Sequence, residues 1–359
     1  MTCLTRITAR SSAARVRRRA VVAAAAVLAV AGNLQAADRV TVQRAGSSGT
    51  MTLTGEIEDY TARRLTIRLQ DADVRRSVAP EEILEIDTHR SEEHQRGREE
   101  LAKDNHLAAE PLLVAAIEKD VRPWVQQDLL ADLVRCAIRR GDRRAAGGYF
   151  ARMIVQEPSS RHWGVAPLIW ATEETGKELR SAAVEWLASS ADGVRLLGAS
   201  ILLLDQSHMS EARRALDDLA RSPESQLRTL AQSQLWRVRL VAGDVSAPEV
   251  QSWRQQVESM PPSIRGGPTY ILGRAAAARS DLEQAAADWL WLPLVYSDDA
   301  PLAARACVDA ADALRRIGQE AEADALYREV IERYAWSPAA GDAKQGLNPP
   351  ANEGIPDGG

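Results

Sequence analysis

Phenylalanine occurs once in this 359-residue chain, lysine four times and cysteine three times. With one Phe, bulky filler must come from Leu and from nine Trp and six Tyr. Three cysteines exclude a small scaffold stapled by disulfides. Arginine is close to the sole cation, because Lys103, Lys119, Lys177 and Lys344 are the only lysines among 45 basic residues. Glycine-rich phosphate loops are missing, and local sequence offers neither a Ser–His–Asp nor a Cys–His arrangement. What remains is a 45 % apolar chain with length for about two domains.

The first 36 residues read as a bacterial export signal. Arg6, Arg10, Arg15, Arg17, Arg18 and Arg19 form a basic head with no acid, followed by an apolar stretch from Ala20 to Ala31 and small Ala36 or Ala37 for cleavage. That stretch falls short of the ~20 apolar residues that cross a bilayer, so no transmembrane span is expected after its removal. An uncleaved anchor remains the alternative, and "VRRRAVV" leaves a twin-arginine route open. No Cys lies near Ala36, which argues against a lipid anchor. Losing six arginines and no acid takes the net charge from −5 to −11. An acidic exported chain, periplasmic or attached to the cell envelope, is a poor partner for nucleic acid or an anionic membrane surface. Cys136 and Cys307 remain and read as two buried thiols.

Residues 38–88 alternate with period two. Val40 and Val42 share a face, as do Met51, Leu53 and Ile57, then Leu65, Ile67 and Leu69; Ile83, Leu84 and Ile86 close the block. Gly55 sits where a strand can bend. The pattern predicts a small antiparallel barrel or sandwich. In "GEIEDYTARRLTIRL" and "EEILEID" it resembles the five-stranded barrels of the Sm-like and SH3-like type. Some of those bind RNA; Tyr60 is the one aromatic in position to serve as a platform, and the barrel is read as an adaptor.

From Ser91 to Leu347 the period becomes helical. Ser91 before Glu92 and Glu93 is an N-cap signal, and Pro123 can open a helix. Gly141, Gly193, Ser207, Pro223, Gly243, Pro248, Pro261, Pro262, Ser280 and Pro301 punctuate the remaining helical stretch. Three helical pairs share a register. Gly141, Ser280 and Gly318 precede Phe150, Trp289 and Tyr327 by nine residues, with Ala146, Ala285 and Ala323 between. Val134, Gly273 and Ala311 stand seven residues before the turn. Small residues where two helices cross let their axes approach to ~8–10 Å, and one large side chain fills the adjoining hole. A pair buries only part of its apolar surface alone, so pairs must stack. The prediction is an α+β multidomain chain: a signal at 1–36, a small N-terminal antiparallel β-barrel at 38–88, an all-α helical-hairpin solenoid of five or six pairs at 91–347, and a loose Pro/Gly-rich tail at 348–359.

In this register the helical part resembles the tetratricopeptide repeat, a helix–turn–helix unit of ~34 residues. The likeness is good over 303–338, fair over 128–158 and 268–298, and poor over 193–260; Cys307 stands where the family often has Trp. The resemblance implies a groove lined by the first helix of each pair. Its spacing selects Arg135, Arg139, Tyr270, Arg274, Arg305, Asp312, Arg315 and Arg316. A protein or peptide partner with carboxylates would suit such a groove, although Arg139, Arg315 and Arg316 also sit where helix C-termini favour cations.

No catalytic, cofactor-binding or metal-binding residues are assigned. His89 and His94 flank "RSEE" without a ligand spacing and read as a solvated junction. The acid pairs Glu81/Glu82, Glu92/Glu93, Glu99/Glu100, Glu173/Glu174, Asp217/Asp218 and Asp298/Asp299 point about 100° apart on a helix and read as solubilising surface. The tryptophans read as core filler, with Trp163, Trp170 and Trp291 as candidates for stacking on glycan. The expectation is a non-catalytic interaction or assembly scaffold in the cell envelope, with an accessory cell-wall glycan binder as the alternative; an RNA-binding barrel would require an uncleaved cytoplasmic chain. Partner identity and oligomeric state are not encoded in any motif.

Overall fold

The computed structural model describes residues 37–43, 49–71, 74–172, 175–243 and 245–348. The leader, nearly all of the tail and the Glu173/Glu174 pair lie outside the described residues. The described chain divides into two compact units. One holds the residues up to Ile57 with Ile67–Arg76 and Glu81–His89; the other holds Glu58–Thr66, Ser77–Pro80 and everything from Arg90.

Five strands make the expected antiparallel sheet: β1 (Asp38–Gln43), β2 (Thr50–Tyr60), β3 (Leu65–Leu69), β4 (Arg75–Val78) and β5 (Ile83–Asp87). The order is β4-β3-β2-β1-β5, an open sheet with β4 and β5 at its edges where the alternation suggested a closed barrel. Alternation does the sorting: Val40 pairs with Leu53, and these two with Val42 and Ile57 are buried. Gly55 is required by a close approach, since a Cβ there would stand 2.0 Å from the Arg68 carbonyl oxygen. The Asp38 carboxylate accepts from the Ile57 amide at 2.8 Å and from the Thr88 hydroxyl. A second expectation is corrected at Leu84. Thr41 pairs with Glu85 and Val42 with Ile83, so the ladder skips Leu84, which is 55 % exposed; a bulge turns it away from the buried face.

Fourteen α-helices follow among the described residues: α1 (Glu92–Ala102), α2 (His106–Lys119), α3 (Pro123–Arg139), α4 (Arg143–Gln156), α5 (Lys177–Leu187), α6 (Asp192–Leu202), α7 (Met209–Leu219), α8 (Ser225–Ala242), α9 (Ala247–Ser259), α10 (Gly266–Ala278), α11 (Leu282–Val295), α12 (Ala300–Arg316), α13 (Glu320–Arg333) and α14 (Ala339–Leu347). Neighbours in sequence pack as neighbours, and α3 also touches α12 across the array. Seven pairs' worth of helix exceeds the five or six expected. The excess lies in 177–259, where five helices, three of them only 11 residues long, depart from the repeat register. Gly193 does not end a helix there. It lies in the first turn of α6, where a Cβ would meet Ile154 at 2.7 Å.

The repeat register has a direct physical basis. Gly141, Ser280 and Gly318 all have positive φ, at 77°, 62° and 83°. In each turn the next amide reaches back five residues: Asp142 to Ala137, Asp281 to Ala276 and Gln319 to Leu314. This is the left-handed helix stop that glycine favours. Asp104, at φ 59°, makes the same turn, with the Asn105 amide on the Glu100 carbonyl. Counting from it gives a fourth copy: Ala109 five residues on, Leu113 nine on and Gly97 seven back. Ala109, Ala146, Ala285 and Ala323 are all 0 % exposed. A Cβ on Gly97 would stand 2.8 Å from Leu113, and one on Gly273 2.5 Å from Trp289. Each small residue thus admits the large one opposite, and Leu113, Phe150, Trp289 and Tyr327 are buried.

Candidate functional site

The eight groove candidates form clusters rather than one line. Tyr270 donates to Asp309 at 2.6 Å, and Arg305 holds the same carboxylate while its other arm reaches Asp342 at 2.7 Å. Burial and the Asp309 charge hold the Tyr270 phenol well above its usual range. Arg315 bridges Glu320 and Asp324 and lies 4.8 Å over the ring of Tyr327, whose hydroxyl donates to Asp312. Arg139 reaches His106 at 3.2 Å and Asp104, and stacks 4.6 Å over Trp336. Arg135 pairs with Asp132 at 2.9 Å. Six of the eight are therefore engaged within the chain. Arg274, half-buried, and Arg316, exposed, have no carboxylate partner among the described residues.

One irregular stretch of the chain is packed among the helices. Residues Ala166–Trp170 run without helix or strand, and Leu168, Ile169 and Trp170 are buried. The Ile169 amide donates to Ser200 Oγ on α6 at 2.9 Å, and its carbonyl accepts from Gln234 Nε2 on α8 at 3.1 Å. Ser200 in turn donates to Gln234 Oε1 at 3.0 Å, and Arg237 steadies that oxygen at 2.7 Å. The indole of Trp170 lies on Gly267 of α10, where a Cβ would stand 1.9 Å from the ring. Trp163 meets Phe150 edge-on at 5.7 Å. Ser200→Ala removes the acceptor from a buried amide and should cost about 1–2 kcal/mol in urea unfolding. Thr, which keeps a hydroxyl, should lose less.

Beyond Trp170 a cavity of about 870 Å³ opens between the α3–α4 turn, the start of α12 and the entry to α14. Leu168, Trp170, Leu302 and Trp336 contribute apolar wall, and charged side chains crowd its rim. Asp299 borders it and caps α12 by accepting from the Leu302 amide at 3.2 Å. Burial raises its carboxyl above the usual range against the pull of Arg143. This member of an acid pair is half-buried and structural, where the sequence suggested surface.

Two further groups stand apart from their expected places. His94 is 1 % exposed and faces into the array on α1, so the junction is not solvated at that position. His162, isolated in sequence, binds Asp128 at 2.7 Å beside Arg161, which also holds Asp128. Their partners lie more than thirty residues away, so no local spacing could have flagged them. Cys136 and Cys307 are buried free thiols, pushed up to about 12 by burial. No group of metal-ligating side chains occurs among the described residues, and no helix there is long and apolar enough to cross a membrane.

Fold and site together define an α+β chain in which a small antiparallel sheet precedes a helical solenoid. It matches no protein-family model, and no curated protein matches it.

Proposed function

We propose that the protein is a non-catalytic partner-holding scaffold of the cell envelope, its helical unit working as tetratricopeptide arrays do. The observation that carries this reading is the grip on Ile169. Side chains from α6 and α8 hold both backbone groups of Ile169 in an irregular segment, the kind of backbone grip by which a helical array can hold a peptide. Arg274 and Arg316, without a carboxylate partner among the described residues, extend the same logic to an acidic partner. An exported, acidic mature chain places that partner outside the cytoplasm, and mass spectrometry of the native N-terminus tests the compartment directly.

The partner is tested in cells with photo-crosslinking side chains at the exposed positions 278 and 317 of the full chain, beside Arg274 and Arg316. Recurrent adducts with one partner or a few, lost in the Arg274→Glu/Arg316→Glu chain, are expected. Crosslinks unaffected by charge reversal, or a defined catalytic turnover by the purified chain, would defeat the reading. The glycan alternative has one observation in its favour, the 53 % exposed Trp291, whereas Trp163 and Trp170 are buried. Sedimentation with insoluble cell wall that Trp291→Ala abolishes would favour it.

A further inference from the structure

The 870 Å³ cavity falls in the size range of pockets that bury most of a small ligand or a short peptide stretch. Its rim charges are unequally used. Arg140 is held by Glu110 and Asp142, and Arg305 by Asp309 and Asp342. Arg144 and Lys177 are exposed and have no carboxylate partner among the described residues. Exposed Glu178 stands against these two, and Arg143 and Asp299 also border the cavity. Among the described lining residues five cations face four acids over an apolar floor, and Arg144 and Lys177 are free to turn to a ligand's carboxylate.

The chain also displays a holding mode beside the cavity. Ala166–Trp170 runs without helix or strand, turning tightly where the Leu168 amide reaches the Ala166 carbonyl at 2.7 Å and then gripped through the backbone of Ile169, and both Leu168 and Trp170 contribute to the cavity wall. An occupant of the cavity would continue that layer.

We propose that the cavity holds an extended segment of a protein partner, with an aromatic or large aliphatic side chain against Trp170 and Trp336 and a carboxylate on Arg144 and Lys177. This rests on the partner-holding reading above and assigns it a place and a ligand chemistry. Apolar burial supplies the attraction. The guanidinium and the ammonium select the acid and orient the segment.

The test pans the full-length protein with a display library of random octapeptides. Enriched peptides are then titrated by fluorescence anisotropy against the wild-type, Arg144→Glu/Lys177→Glu and Trp336→Ala chains. All three substituted positions are exposed, and circular dichroism verifies the fold of each variant. The enriched sequences should place Trp, Phe, Leu or Ile within two positions of Asp or Glu. The charge-reversed chain should bind them about tenfold or more weakly, equivalent to about 1.4 kcal/mol, and Trp336→Ala should weaken them as well. Raising the salt should narrow the gap between wild type and the charge-reversed chain. Enriched peptides without acids, or peptides that bind both variants as tightly as the wild type, would overturn the proposal and leave the partner-holding reading standing. Failure to enrich any peptide would count against both.

Discussion

Gly198→Ala should destabilise the helical unit by about 3 kcal/mol, the upper end of what overpacking costs. Gly198 lies on α6 where that helix crosses α5. A Cβ built there would stand 2.3 Å from the Leu187 amide nitrogen and 2.6 Å from the Ala183 carbonyl oxygen. Both obstacles are backbone, so no rotamer change relieves them, and the two helices must separate by about an ångström to restore ordinary contact. The movement does not stay local. α6 also packs on α4, α7 and α8, and it carries Ser200, which holds the Ile169 amide. In a unit of this size the loss should lower Tm by about 6–12 °C. Gly148→Ala on α4 is the matched control. Gly148 is exposed and a Cβ there meets nothing within 4 Å, so alanine should stabilise by about 0.5–1 kcal/mol through helix propensity alone. Thermal melts followed by far-UV circular dichroism on the three chains decide the matter; equal melting points for Gly198→Ala and wild type would show that α5 and α6 do not need the contact.

The same contrast shows which features the sequence carries openly. Strand alternation is legible because each strand of the sheet buries one side, so Val40, Val42, Leu53 and Ile57 fall in step. The hairpins built on Gly141, Ser280 and Gly318 are legible because a left-handed turn, a small crossing residue and a large filler recur at fixed distances. The α1–α2 hairpin has identical geometry yet lacks the usual residues. Asp104 takes the left-handed position that glycine usually holds, and Leu113 replaces the aromatic. Its Gly97, seven residues before the turn, is the available signal. In 177–259 helix lengths range from 11 to 18 residues and the spacing is irregular, so no period emerges.

The candidate site is less legible, for a different reason. Repeat spacing identifies which arginines stand on the first helices but not what they meet. Arg139 pairs with Asp104, 35 residues away, and Arg305 with Asp342, 37 away. Carboxylates such as these turn most of the expected basic groove into internal ion pairs, and of its arginines Arg274 and Arg316 have no carboxylate partner among the described residues. The fold-back of Ala166–Trp170 is equally hidden, because Ser200 and Gln234 anchor it, and neither belongs to any motif.

His94→Phe should abolish a large part of the protein's acid sensitivity. His94 is 1 % exposed on α1, and neither of its ring nitrogens has a hydrogen-bond partner among the described residues. Burial disfavours the imidazolium, Arg90 and Arg98 oppose it further, and Asp128 and Asp120 favour it less strongly, so the ring is held down to about 4 against an ordinary 6.5. The folded chain therefore takes up this proton later than the unfolded chain as the pH falls. Stability from the neutral ring is complete above pH 6.5, begins to fall below it, and is lost through pH 4. The loss attributable to this group should be about 1.4 kcal/mol at pH 5.5 and about 3 kcal/mol at pH 4. Phe keeps a planar apolar body in the same space and cannot titrate, so it should be nearly neutral at pH 7, within about 1.5 kcal/mol. Urea unfolding of both chains from pH 7 to pH 4 isolates the effect, because the carboxylates that also weaken in acid, Asp120 and Asp128 among them, are common to both. The two stability curves should diverge below pH 6.5, with the Phe chain the more stable by about 3 kcal/mol at pH 4 relative to their difference at pH 7. Parallel curves would mean that the His94 ring finds a proton acceptor in the folded chain and stays charged at no cost.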